Sequence, residues 1–503
     1  MNQSTSSQLF DKTDQKSVMS NHTMSAGAVT NTILIPLDST TQNVEEVDYF
    51  TSSASPAAIL LFGSNSILTL WHGPSRRYFM EINHNPDRPE IMHIDLNSAF
   101  AMTEQQANPL LRGRPVGVTN RLNDWAICIA TSYEAKRLGI TLGTRQSEAK
   151  RIASNFVMVE SDSAKYTHIH KKFLAMFQSY SPIAYMKSID EGVIDFRNLR
   201  PILKNRPLED IGHEIKQRVR NEIGNYMTVN IGIGQNRWMA KLAAGFMKPD
   251  GMYTIGRNNA AEVYGLLNLC ELPYIKSKNQ LRLNSAGIYT CPDFYKATEP
   301  VLVKQVFRSI VGHIWYLKLR GYETEVETGI RTVGRSYVLE HRTADPEEIL
   351  NLLYKASAKI SRRLRKNHLA TRGLMLAFGY RVEASSTYGH PTPGRHGWYQ
   401  RHMYHTAVYR ADQLFHRAAE LFAASPPDRI VTSLFMTSYA LEPVRTNQPS
   451  LFNDDEAKRD RLETALNQIN DRYGELTVTP ATVTASKNPM KDKIPFGTVR
   501  YFD

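Results

Sequence analysis

The sequence predicts an α+β protein of several domains, and three observations carry that reading. Its 503 residues are too many for one ordinary core, so two to four domains are expected at roughly 150 residues each. With 42% apolar and 22% charged residues the composition is that of a globular chain, which excludes bulk disorder and fibrous structure. Strand-like and helical runs are also mixed within one segment: Arg331 to Leu339, the helix Pro346 to Lys366, and the strands Leu374 to Tyr380 and Ile430 to Leu441.

Taken in order, residues 1–55 are rich in Ser, Thr, Asn and Gln, which predicts a mostly disordered extension. The apolar stretch Ala57 to Phe62 follows Pro56 and ends at Gly63 and Ser64, far short of the about 20 residues of a membrane span. Neither a transmembrane helix nor a secretory signal is expected. From Glu90 the texture changes: Ile91-Met92-His93-Ile94 reads as a short buried strand that leads into Asp95 and a helical stretch from about Ser98. Thr228 to Gly232 reads as another strand, with Asn236 as the cap of a helical run from Arg237 to Met247 and a turn at Lys248-Pro249-Asp250-Gly251. Gly232-Ile233-Gly234 resembles half a dinucleotide fingerprint, but Arg237 holds the third glycine position and no acidic residue follows at the required distance, so that reading is excluded. Residues 257–325 read as short helices joined by polar turns. After Pro443 come a polar link, the apolar pair Leu451-Phe452, a charged helix from about Asp454 to Tyr473 and an irregular end.

Cys128, Cys270 and Cys291 lie far apart, which excludes a disulfide framework or a Cys-rich zinc module and suits a reducing cytoplasm. The net charge is 61 − 49 = +12, unevenly placed. Residues 1–90 carry 5 basic and 9 acidic side chains, whereas 331–445 carry 17 and 9. Such a basic excess suits a polyanion such as nucleic acid; plain solubility is the other explanation.

Three carboxylates stand at strand ends. Asp95 closes an apolar strand, and Asp190-Glu191 lies between Tyr185 to Ile189 and Gly192 to Ile194 in a hairpin-like pattern. Neighbouring side chains on a regular strand point to opposite faces, so Asp190 and Glu191 share a site only where the backbone turns or twists, which Ser188 and Gly192 make feasible. Carboxylates brought together repel, and a hard divalent cation such as Mg²⁺ is the usual reason to tolerate them. On spacing alone a solvated turn is the commoner explanation of the pair.

Four separated motifs change that balance. Met92-His93-Ile94-Asp95-Leu96-Asn97-Ser98-Ala99-Phe100-Ala101, Ser132-Tyr133-Glu134-Ala135-Lys136, Ser188-Ile189-Asp190-Glu191 and Met247-Lys248-Pro249-Asp250-Gly251 resemble, in order and spacing, the Y-family translesion DNA polymerases of the bacterial DinB and UmuC type. Val333-Gly334-Arg335-Ser336-Tyr337-Val338-Leu339 extends the likeness to that family's DNA-binding domain. The resemblance implies a right hand: an extension over 1–88, a palm over 89–256 with fingers inserted at about 111–165, a thumb over 257–325, a little finger over 330–445 and a C-terminal tail over 446–503. Asp95, Asp190 and Glu191, with the backbone carbonyl of Leu96, would hold two Mg²⁺ ions. Tyr133, Lys136 and Lys248 would contact the triphosphate of the incoming deoxynucleotide, and Phe100 would be the aromatic gate that rejects a ribose 2′-hydroxyl. Without the motif, Lys136 reads as an exposed helix lysine, and Tyr133 and Phe100 as core aromatics.

The sequence also departs from the family pattern. Ala99 is small where many relatives carry an aromatic, Asn97 replaces a frequent Asp, and Lys136 stands where Arg is commoner, exchanging a bidentate fork for a point charge. The thumb segment Leu272 to Lys278 and Ala286 to Ile288 resembles the family's helix-hairpin-helix but lacks its usual turn glycines. In the little finger, Arg335 and the cluster Arg362, Arg363, Arg365 and Lys366 would meet DNA phosphates. Gln448-Pro449-Ser450-Leu451-Phe452 resembles the short peptide by which bacterial polymerases bind the sliding clamp, with Gln448, Ser450, Leu451 and Phe452 as the contacts. The expected partners are therefore primer-template DNA, deoxynucleoside triphosphates and the clamp, with no membrane, in a cytoplasmic protein that is monomeric apart from the clamp. The rival reading is an inactive or weak adaptor that binds clamp and DNA without synthesis.

Overall fold

The computed structural model describes residues 58–60, 69–72, 76–77, 83–123, 126–199, 201–203, 205–325, 329–381, 397–444, 454–474, 477–484, 487–488 and 490. Two compact units divide it, Met1–Tyr78 and Phe79–Asp503. In the first, Ala58–Leu60, Thr69–His72 and Arg76–Arg77 make a small antiparallel sheet. The extension expected to be disordered over 1–55 lies outside the described residues.

The larger unit is organised around a five-stranded sheet in the order Met252–Ile255, Val229–Gly234, Ile91–Leu96, Glu191–Asp195, Tyr185–Met186. The first two strands run parallel, and the other neighbours antiparallel. Alternation along the strands gives the sheet two different faces. Met92, Ile94, Ile194, Ile231 and Ile233 join Phe173, Met176 and Phe177 of the helix Ser163–Gln178 and Ile211 and Ile215 of the helix Leu208–Arg218 in the main core. The opposite face carries His93 and Asp95, and the helix Arg237–Ala243 packs there, with Ile91, Val193 and Ala240 in contact. This helix approaches very closely. A Cβ at Gly232 would stand 2.1 Å from the Ala240 carbonyl oxygen, so only glycine fits, which is the physical reason for the Gly-Ile-Gly sequence that is not a nucleotide fingerprint.

Three further domains surround this sheet. In the fingers, Val116–Thr119 pairs with Ala130–Thr131 and Val157–Glu160 over a core of Cys128, Ala135, Ile140, Ala149, Phe156 and Met158. The thumb is helical, from Ala260–Gly265 to Val311–Leu319. In the turn before the helix Ser277–Asn284, Tyr274 adopts φ 71, a left-handed conformation costly for an aromatic residue. The carbonyl of Tyr274 accepts from Asn279 Nδ2 at 3.2 Å and that of Pro273 from Trp238 Nε1 at 3.2 Å. The little finger is a four-stranded antiparallel sheet in the order Val333–Thr343, Val431–Pro443, Leu369–Tyr380, Gly397–Val408, with the helices Pro346–Lys366 and Ala411–Ala423 packed on one face.

The C-terminal region differs from the expected irregular tail. The helix Asp454–Tyr473 forms as its charge pattern predicts, but the chain then returns to the little finger, where Met490 is fully buried in the core. Asn488 is 0% exposed. Its Oδ1 accepts from the backbone N–H groups of Glu340 and His341 at 2.9 and 3.0 Å, and its Nδ2 donates to Glu348 Oε1 at 2.7 Å. Those N–H groups belong to the stretch of Val333–Thr343 where the ladder to Val431–Pro443 shifts register, so a side chain supplies the partners that the bulge removes.

Candidate active site

Backbone register brings the carboxylates together. Asp95 and Glu191 are direct partners across the antiparallel pair, so their side chains share the face under the helix Arg237–Ala243. Asp190 joins them because the chain bends between Tyr185–Met186 and Glu191–Asp195. The N–H groups of Lys187 and Ser188 both donate to the Glu191 carbonyl, at 2.8 and 3.1 Å, and Ser188 Oγ donates to Asp190 Oδ1. The Asp190 carbonyl accepts from the N–H of Leu96 at 2.8 Å, stitching the bend to the strand that carries Asp95.

The electrostatics show the crowding. Burial, reinforced by the charges of Asp95 and Glu191, holds the Asp190 carboxyl above its ordinary value against the pull of the Ser188 hydroxyl. Burial acts the same way on Glu191, but hydrogen bonds and charge from His93 and Lys241 outweigh it and lower that carboxyl to about 2. Lys241 Nζ and His93 Nε2, the latter at 3.2 Å, both meet Glu191 Oε2, and Lys248 Nζ meets Asp95 Oδ2. Among the described residues no three His, Cys, Asp or Glu side chains stand as a ready-made cation shell, and lysines pair with two of the three carboxylates. The donor set nevertheless fits a hard divalent cation: three oxygen donors crowd one sheet end, and the Asp190 carboxyl bears the mutual repulsion that such a charge relieves.

The residues expected around the nucleotide converge on the same end. Ser132 caps the short helix Tyr133–Arg137, its hydroxyl accepting from the Ala135 N–H at 3.3 Å. Lys136 Nζ donates to Ser98 Oγ at 2.7 Å and lies 4.6 Å from the Tyr133 ring centroid. The Tyr133 hydroxyl donates to Asn97 Oδ1 at 3.4 Å. Burial and the nearby Lys248 charge lower Lys136; burial would lower Lys248 too, but Asp95 outweighs it and raises that ammonium. Phe100 is 6% exposed, with its ring 4.7 Å from that of Tyr166. The aromatic is therefore part of the core, whatever else it contacts.

The basic residues expected to meet DNA sit in different surroundings within the little finger. Arg335 lies half-buried opposite Met436, on the face of Val333–Thr343 that carries Val333 and Tyr337 into the core. Arg363 donates to the Gly334 carbonyl at 2.8 Å. Arg362 pairs with Asp471 at 2.8 Å, and Arg365 is lowered by burial while facing Glu463 and Asp471. Lys366 is exposed. At this helix end Arg362 and Arg365 face the helix Asp454–Tyr473, while Arg362 and Lys366 remain open to solvent. Gln448, Ser450, Leu451 and Phe452 lie outside the described residues.

Three side chains not singled out by their sequence pattern are built into the site. His93 and Lys241 hold Glu191. Asn230, fully buried opposite Asp95, donates to the carbonyls of Ala244 and Phe246 at 3.2 and 2.8 Å and accepts from the Gly251 N–H at 3.1 Å, so it pins both ends of the loop that carries Lys248. A polar residue in the middle of an otherwise apolar strand was the available signal for His93 and Asn230.

Comparison with known proteins identifies the family to which the chain is similar. Residues 94–245 match the impB/mucB/samB family, and residues 330–451 match the C-terminal domain of that family. DNA polymerase IV of Staphylococcus aureus strain MRSA252 is 30% identical over 280 residues, 55% of this chain and 77% of that protein, and the enzyme of strain Newman is 29% identical over the same shares. Among solved structures, a Y-family DNA polymerase chimera superposes with a TM-score of 0.57 at 21% identity, covering 70% of this chain and 98% of that one. A post-insertion binary complex of Dbh DNA polymerase superposes with a TM-score of 0.50 at 20% identity, again over 70% and 98%. The right-hand fold and the family match together place this chain in the impB/mucB/samB family of Y-family DNA polymerases.

Proposed function

We propose that this Y-family polymerase adds deoxynucleotides to a primer 3′-hydroxyl opposite damaged template, with Asp95, Asp190, Glu191 and the Leu96 carbonyl as ligands for Mg²⁺. The observation that carries this reading is the register that sets Asp95 opposite Glu191, with the bend that adds Asp190. Two such ions, when bound, would supply positive charge that favours attack of the 3′-hydroxyl on the α-phosphate and offsets the charge of the leaving pyrophosphate. Lys248, which neutralises Asp95, and Lys136, which rests on Ser98, would take up the triphosphate together with Tyr133. Phe100, backed by Tyr166, would exclude a ribose 2′-hydroxyl.

Duplex DNA would lie along the little finger, with Arg335, Arg362, Arg363, Arg365 and Lys366 as the basic contacts to its phosphates and the sheet face of Gly334, Ser336, Val338, Tyr399 and Met403 beside it. Recruitment would come from Gln448, Ser450, Leu451 and Phe452 binding the sliding clamp, in a cytoplasmic protein that is otherwise monomeric. No helix among the described residues is long and apolar enough to cross a membrane. The adaptor alternative is disfavoured by the same carboxylate cluster, which mere DNA binding does not require.

Primer extension tests the assignment. Asp190→Ala or Glu191→Gln should remove nucleotide addition while DNA affinity, measured in parallel, stays within about twofold, because the basic contacts are untouched. Survival of extension in both variants would return the pair to a solvated turn, whose replacement shifts stability by only about 0.5 kcal/mol.

A further inference from the structure

His93 is 1% exposed on the central strand Ile91–Leu96, and its position is costly. Its Nδ1 is buried without a hydrogen-bond partner. A phenylalanine would fill the same space between the sheet and the helix Arg237–Ala243 without burying that nitrogen, so packing alone does not account for an imidazole. What the ring does make is one bond: Nε2 to Glu191 Oε2 at 3.2 Å, between side chains diagonal to each other on one face of the antiparallel pair. A nitrogen facing a carboxylate must carry the proton, so Nε2–H donates.

The second donor to Glu191, Lys241, meets that same Oε2. Both protein donors thus act on one oxygen. Oε1 is left with no hydrogen-bond donor among the described residues. A carboxylate anchored through one oxygen has a restricted orientation and offers the other to a cation, an arrangement in which the anchoring group sets affinity without touching the ion.

We propose that His93 is a positioning residue, whose Nε2–H fixes Glu191 Oε2 so that Oε1 is presented to a divalent cation at the Asp95, Asp190 and Glu191 cluster. The inference rests on the reading of Glu191 as a cation ligand. Lys241 is the weaker half of the anchor, since its flexible and partly exposed side chain has other rotamers open to it, whereas the buried ring has not.

The experiment titrates Mn²⁺ alone, followed by electron paramagnetic resonance of the free ion, into the full chain bound to primer-template without nucleotide. It is paired with Mg²⁺ dependence of primer extension and a melting curve. His93→Phe should raise the Mn²⁺ midpoint and the half-saturating Mg²⁺ about tenfold, with the melting temperature equal or higher because the orphaned nitrogen is gone. His93→Gln, which places an amide N–H near the Nε2 position, should restore most of the shift. A His93→Phe midpoint equal to wild type overturns the proposal. So does a lowered melting temperature with reduced extension at every Mg²⁺ concentration, the outcome for a purely structural residue. If His93→Phe does not fold, His93→Met is compared with His93→Gln by the same criteria. Glu191→Gln separates the two levels: if it leaves midpoint and extension unchanged, the ligand reading fails and the proposal with it, whereas if it removes both while His93→Phe changes neither midpoint, only the role of His93 is lost.

Discussion

Glu104, 3% exposed on the helix Ala99–Ala107, spends both carboxylate oxygens on fixing its surroundings. Oε1 accepts from the Tyr166 hydroxyl and Oε2 from Lys165 Nζ, each at 2.7 Å. Tyr166 is thereby held against Phe100, so the ring expected to meet the sugar has a rigid backstop rather than a mobile neighbour. The consequence for Phe100→Ala is double. Loss of a buried ring should lower stability by about 3 kcal/mol, visible as a reduced melting temperature. The opened space should also raise the ratio of ribonucleotide to deoxynucleotide kcat/KM by about tenfold or more. An unchanged ratio in a variant that still extends primers would leave Phe100 as a core residue only.

Among the elements, the C-terminal arm is the one whose role is most altered by folding. Glu463 of the helix Asp454–Tyr473 accepts from Ser361 Oγ at 3.2 Å and the Ala411 N–H at 3.1 Å, which ties the arm to both little-finger helices. Lys355 Nζ donates to the Asn488 carbonyl at 2.7 Å, and Asn488 in turn satisfies the bulged strand. Asn488→Ala leaves the backbone N–H groups of Glu340 and His341 without their partner in a dry site and removes one of the donors to the Glu348 carboxylate, a change that should cost about 2–4 kcal/mol. Urea unfolding of wild type and variant gives the measurement. A loss under about 0.5 kcal/mol would show that the arm rests on the domain without supporting it.

For the whole molecule, the +12 charge supplies a sequence-independent attraction to DNA, and placement at a replication site requires something more selective. In sequence, Leu451 and Phe452 lie between the strand Val431–Pro443 and the helix Asp454–Tyr473. Replacing both residues with Ala should weaken binding to the sliding clamp at least about a hundredfold, from roughly 1.5–3 kcal/mol per buried side chain. Clamp-free primer extension should be unchanged. Titration of labelled clamp beside a melting curve checks this: equal affinity removes the recruitment role, and a large drop in melting temperature assigns the pair to packing.

The division between what was legible in the chain and what was not follows the range of the interactions. Local signals, namely the apolar run before Asp95, the Asn236 cap, the amphipathic helix Pro346–Lys366 and the charged helix Asp454–Tyr473, are read from neighbours in sequence and stand in the structure. The strand Gly397–Val408 escaped because an exposed edge strand carries polar residues where a buried one would be apolar. The motifs, by resemblance, pointed to Asp95, Asp190 and Glu191 as a set. Only the tertiary structure decided that Asp95 faces Glu191, that His93 and Lys241 grip one oxygen of that carboxylate, and that Arg362 and Arg365 turn towards an acidic helix from the far end of the chain. Those choices depend on strand register and on contacts between segments about a hundred residues apart, and neither leaves a periodic trace in the residues between.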